Sequence, residues 1–177
     1  MVEIVLTYHS LGEDAQAGFT AGWRQTPLSP AGREEARALG DRWRHERIAA
    51  VFSSDLRRAV ETAQIAFQGT SIPQFADWRL RECNFGAYAG TGVGGVLRHW
   101  RQHLEEPYLD GESWHQAIDR VARFLDDLAA YWQGQRVLLI GHVATRWALD
   151  HRLAGIPVDA LEIPGDDSGR EWTYRLS

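Results

Sequence analysis

RVLLIGHVATRWAL, residues 136–149, begins as a short apolar run with β-branched Val137 and Ile140, breaks at Gly141 and His142, and resumes as a helix-like segment that stops at Gly155. Two other stretches repeat this grammar. VEIVLTYHS (2–10) is an apolar run that ends at His9, and AAVF (49–52) runs into SSDLRRAVETA (53–63), which carries Arg58. Apolar runs this short, each followed by a loop or a helix start, read as parallel strands buried on both faces. Strands that alternate with helices predict an α/β fold, a three-layer sandwich whose mostly parallel central sheet has helices on both faces. Ligands of such sheets sit in the crevice beyond the carboxyl ends of the strands. His9 and His142 are therefore candidates to converge on one ligand from strands far apart in sequence.

The helices are marked by their caps and periodicity. Ser29 is an N-cap followed by Pro30 at the first helical position, and Leu28, Ala36, Leu39 and Trp43 supply an apolar stripe to about Glu46. A second helix is expected over 55–67. Ala117, Val121, Phe124, Leu125, Leu128 and Trp132 form one face of another that ends near Gly134, and a last one covers 143–154. Segment 83–112 is rich in glycine and holds a short helical stretch at about 96–105. It reads as a lid-like excursion over the active face of a single domain, 1–177. A polar loop, PGDDSGRE (164–171), precedes a final strand, WTYRL.

Composition narrows the function. A chain of 177 residues, 44% hydrophobic, buries the core of one ordinary domain. Its net charge of −5, with acidic residues scattered, argues against nucleic acid as a partner, because binding a phosphate backbone needs a concentrated basic surface. A small anion is still compatible, since local arginines set the field inside a cleft. Lone Cys83 fits a reducing compartment, and no stretch approaches 18 consecutive apolar residues. No membrane partner is expected, and the location is read as cytoplasmic. His99 and His103 have the i, i+4 spacing of a helical metal pair, but no third ligand lies nearby in sequence and HWRQH reads as a solvated face. No metal and no cofactor are expected.

The chain resembles the histidine phosphatase superfamily, with its phosphoglycerate-mutase-like fold. The resemblance rests on five segments in order: GWRQTPLSPAGREEARALG (22–40), SSDLRRAVETA (53–63), LRECNFGAYAG (80–90), DGES (110–113) and GHVATRWAL (141–149). One motif departs. Where the family reads Arg-His-Gly, this chain has Tyr8-His9-Ser10, and Val143 stands where a glycine often follows the second histidine.

The resemblance implies a phosphomonoester hydrolase acting through a phosphohistidine on His9. It implies that Arg58 and His142 hold the phosphoryl oxygens and that Glu82 protonates the leaving alcohol. Tyr8, Ser10, Gly22, Arg24 and Val143 are placed at the phosphate or substrate. Adjacent helical residues point about 100° apart, so Arg57 is read as a surface charge beside Arg58. Losing the motif arginine opens an alternative function, a phosphatase-like module without turnover that binds a phosphorylated ligand or a protein. A mutase ranks below both, since the 83–112 excursion is short. Arg24, in the loop after His9, is the first candidate to replace the missing guanidinium. The partner implied is a small phosphorylated molecule of unspecified identity.

Overall fold

The computed structural model describes residues 1–163 and 169–177, so the first five positions of the expected 164–171 loop lie outside the described residues. Five strands form one sheet: β1 (Val2–Tyr8), β2 (Ala50–Ser53), β3 (Gln74–Ala76), β4 (Arg136–Gly141) and β5 (Glu171–Leu176). Their spatial order is β3-β2-β4-β1-β5, with β5 alone antiparallel. Between them lie α1 (Glu13–Gln16), α2 (Pro30–Trp43), α3 (Arg57–Ala66), α4 (Val93–His99), α5 (Trp114–Tyr131) and α6 (Val143–Ala154). The mostly parallel α/β sandwich expected from the apolar runs is the fold observed.

Strand alternation divides the core. Val5, Val51, Leu138 and Ile140 face α2 and α3, with Leu39, Trp43 and Ala63 completing that layer. Ile4, Leu6, Phe52, Val137 and Leu139 face the other way, onto Phe124 and Leu125 of α5 and Trp147 of α6. Both faces are covered, so most positions of the central strands are apolar and they read as short apolar runs. Tryptophans fill much of the second layer, with Trp147 between Trp114 (ring centroids 4.2 Å apart) and Trp100 (5.0 Å).

Two elements escape the sequence reading, each for a physical reason. The edge strand β3 is three exposed residues without an apolar run, and α1 is one polar turn without a buried face. Caps fall where expected: the Ser29 side chain accepts from the Gly32 N–H, and Gly155 ends α6 in the left-handed conformation. The helical stretch of the 83–112 segment begins earlier than its sequence suggests, at Val93, and continues as a 3-10 turn over Trp100–His103. Backbone bonds tie this segment to the loop after α1, with Gly90 donating to Thr20 and Thr20 to Thr91. Among the described residues no helix is long and apolar enough to cross a membrane.

Close approach of α2 to α3 depends on Gly40. A Cβ there would lie 2.3 Å from the Ala66 carbonyl oxygen. Glycine to alanine inside an exposed helix normally stabilises by about 1 kcal/mol. Gly40→Ala should instead destabilise the protein by about 1–3 kcal/mol, the range for overpacking a tight contact. Urea unfolding of the two proteins checks the sign.

Candidate active site

Strand register builds the centre of the site. β1 and β4 are parallel, and Tyr8 stands opposite Gly141. The next residue of each strand is a histidine, so His9 and His142 leave the sheet side by side, their rings 4.8 Å apart. β2 lies on the far side of β4, with Ser53 opposite Ile140, so Ser54 emerges next to His142. Its hydroxyl oxygen is 2.6 Å from His142 Nε2. The expected convergence of the two histidines is thus a consequence of adjacent strands in register.

Arg58, on the first turn of α3, fills the space between the rings and is almost wholly buried. Its Nε donates to His9 Nε2 at 3.1 Å, and its Nη2 lies 3.4 Å from His142 Nδ1. The guanidinium also donates to the carbonyls of Gly22 (2.9 Å) and Arg24 (3.3 Å). Its neighbour Arg57 turns outward and pairs with Glu61, as the helical angle requires.

This geometry settles the tautomers of the neutral rings. Arg58 can only donate, so His9 Nε2 is the unprotonated nitrogen and Nδ1–H donates to the Ser10 carbonyl at 2.7 Å. The same reasoning puts the His142 proton on Nε2, toward Ser54. Burial and the Arg58 charge push His9 down to about 3, and they push His142 well below the usual histidine range. Arg58, lowered by burial to about 10, keeps its charge at neutral pH.

Glu82 caps α6. Its carboxylate accepts from the backbone N–H groups of Cys83 (2.9 Å), Ala144 (3.1 Å) and Val143 (3.2 Å). The helix N-terminus that favours an anion is thus occupied by a carboxylate. Burial nevertheless raises Glu82 above the ordinary carboxylate range, outweighing these bonds and the Arg58 charge, both of which lower it. Arg79 and Arg81, its neighbours in sequence, pair elsewhere, with Asp77 and Asp55.

The remaining expected residues are placed as follows. Tyr8, Ser10, Gly22 and Val143 line a cavity of about 570 Å³ together with His9, Arg58, Glu82 and His142. Several of their backbone groups serve the site itself: the Ser10 N–H donates to Thr62, the Gly22 carbonyl accepts from Arg58, and the Val143 N–H donates to Glu82. Arg24 differs from expectation. Its Nε donates to Asp14 at 2.9 Å and its side chain is half-exposed, so it reaches the site through its carbonyl and its guanidinium does not stand in for the missing arginine. The Tyr8 ring packs against Trp172 of β5, with centroids 5.0 Å apart. His103 stacks on Tyr108 at 3.8 Å, and the described residues gather no group of three or more His, Cys, Asp or Glu fit to hold a metal.

Sequence reading gave no role to Ser54 or Arg120. Buried Arg120 of α5 binds both Glu112 oxygens, at 2.8 and 2.7 Å, and donates to the carbonyls of Arg79, Arg81 and Glu82. It thereby fixes the backbone that carries Glu82. A charged residue three after Ala117 and four before Phe124, inside an apolar stripe, was the available signal.

Arg24→Ala keeps the carbonyl that Arg58 uses and removes only a half-exposed ion pair. Stability should fall by less than about 1 kcal/mol and the turnover number by less than about threefold, a change below 1 kcal/mol in barrier. Chemical denaturation and steady-state kinetics read the two numbers.

Comparisons with known proteins show the family and the fold. The family model of the histidine phosphatase superfamily (branch 1) matches residues 4–167. The chain is 28% identical over 165 residues to a probable phosphoglycerate mutase, GpmB, of Escherichia coli O1:K1, covering 89% of this chain and 77% of that protein. Its fold superposes on YhfR of Bacillus stearothermophilus with a TM-score of 0.83 and 28% identity, over 93% of this chain and 86% of that one. A mycobacterial glucosyl-3-phosphoglycerate phosphatase gives 0.76 and 26%, over 89% and 81%. That phosphatase has also been solved with VO3 and with inorganic phosphate. With the family model spanning nearly its whole length, this chain belongs to the histidine phosphatase superfamily, branch 1.

Proposed function

We propose that the protein is a phosphomonoesterase that works through a phosphohistidine on His9, taking a small phosphorylated molecule in the cytoplasm. The observation that carries this reading is the fixed tautomer of His9. Its Nδ1–H is held by the Ser10 carbonyl, which leaves the Nε2 lone pair directed at Arg58 and the cavity. A nucleophilic imidazole needs that lone pair free and the ring neutral, and the lowered pKa keeps it neutral.

The arriving phosphoryl group takes over the Arg58 contacts, because a planar guanidinium binds two phosphoryl oxygens better than one imidazole nitrogen. His9 Nε2 then attacks phosphorus, the P–O bond to the alcohol breaks, and Glu82 delivers its proton to the departing oxygen. In the second half, water attacks the phosphohistidine, and ionised Glu82 accepts its proton. Ser54 holds the His142 ring beside the phosphoryl oxygens, and the 83–112 segment, which contributes Phe85, Val93 and Val96 to the cavity wall, acts as a lid over it. No step passes through a metal or a cofactor.

Rapid acid-free quenching with a 32P-labelled ester tests the covalent step. The label should appear on the protein as an acid-labile, base-stable adduct that His9→Asn abolishes. Turnover by His9→Asn at the native rate would refute the mechanism. A site that binds phosphate without label or turnover would instead favour the binding-module reading, to which Tyr8 in the arginine position points.

The pH dependence follows from the two shifts. His9 is active when neutral, hence above about 3. Glu82 is active in its first step when protonated, hence below its raised pKa. kcat/KM should therefore fall as pH rises through a value above the ordinary carboxylate range. Glu82→Gln should lose that fall and lower the rate on the acid side by about 10²–10⁴. Identical pH profiles for the two proteins would remove Glu82 from the acid role.

A further inference from the structure

We propose, building on the phosphatase reading above, that this site selects phosphate esters of bulky, uncharged, apolar alcohols and discriminates against substrates with a second anionic group. The cavity of about 570 Å³ extends well past the histidine pair, within the range of sites that enclose a drug-sized ligand. Its lining includes Phe19, Phe85, Val93, Val96, Trp114 and Ile163, and most of its surface is apolar.

Two of these are held out to solvent at the mouth. Phe19 is 46% exposed and Val93 is 42% exposed. Backbone pairing joins the segments that carry them: Phe19 forms an isolated bridge with Gly92, and the Val93 N–H donates to the Gly18 carbonyl. Exposed apolar side chains in a cavity wall gain from covering an apolar ligand, which would remove their surface from water.

Charge works in the same direction. Among the described residues, the cationic side chains lining the cavity are Arg42 and Arg58, against Asp14, Glu35 and Glu82. Arg58 is committed to the phosphoryl group and Arg42 to Glu171, its Nε 3.2 Å from the carboxylate. A carboxylate or second phosphate on the alcohol would lose its hydration among apolar side chains, and among the described residues each arginine that lines the cavity, like Arg24 behind Asp14, already has a partner. Hydroxyl-rich alcohols have a milder version of the same problem.

Three esters of primary alcohols hold the leaving-group chemistry nearly constant: 2-phenylethyl phosphate, glycerol 3-phosphate and 3-phosphoglycerate. kcat/KM should be at least about tenfold higher for the phenylethyl ester than for glycerol 3-phosphate, the scale of burying an aromatic group. It should be lower again for 3-phosphoglycerate. Val93→Lys, at an exposed position where the fold tolerates change, should shift the phenylethyl to phosphoglycerate ratio about tenfold toward the acid. Equal or better use of 3-phosphoglycerate by the natural protein would overturn the proposal.

Titration calorimetry with two phosphonates, 2-phenylethylphosphonate and 3,4-dihydroxybutylphosphonate, reads the same preference without catalysis. Tighter binding of the phenylethyl compound by a protein that hydrolyses nothing would sustain this inference while refuting the phosphatase reading. Tighter binding of the dihydroxybutyl compound would refute the inference whatever the turnover.

Discussion

A single buried guanidinium organises this active face. Arg58 touches both histidines and the carbonyls of Gly22 and Arg24, so three separate stretches of chain meet on one planar fork. A charge in that position would be costly alone, but it is surrounded by acceptors and feels the negative charges of Glu82 and Asp14. Burial first, and then its charge, keep both imidazoles neutral. The tautomer of His9, the orientation of His142 and the path of the 22–24 loop all depend on where that fork lies.

The arrangement also shows how the chain accommodates Tyr8 in place of the motif arginine. The Tyr8 ring joins an aromatic pair with Trp172 on the antiparallel edge strand, and the Arg146 guanidinium lies over the Trp172 ring at 4.4 Å. Positive charge in contact with the two histidines then comes from Arg58. A cavity with so little spare positive charge and a largely apolar wall is suited to an ester that brings one phosphoryl group and little further charge.

Glu82 illustrates how one residue can answer two demands. Three backbone N–H groups fix its carboxylate at the start of α6, and Arg120 fixes the carbonyls of the segment that carries it. The rigidity of Glu82 is thus supplied by ordinary helix capping and by an arginine–glutamate pair outside the cavity. Burial still dominates its ionisation, which raises its pKa.

The sequence by itself determined the layers. Unbroken apolar runs such as RVLLI could only be strands covered on both sides, and Ser29-Pro30 and Gly155 marked helix ends through local backbone chemistry. The strand-end positions of His9 and His142, the place of Arg58 and the candidacy of Glu82 were legible for the same reason, since each rests on local order and motif. What tertiary structure decided was pairing. No local pattern says that Tyr8 stands opposite Gly141, so the 4.8 Å between the histidine rings and the contact of Ser54 with His142 could not be read in advance. Arg24 was the first candidate to replace the missing guanidinium, but its side chain is paired with Asp14. Long flexible side chains take their partners from whatever the fold sets nearby, a choice made across the whole structure and invisible in the order of residues.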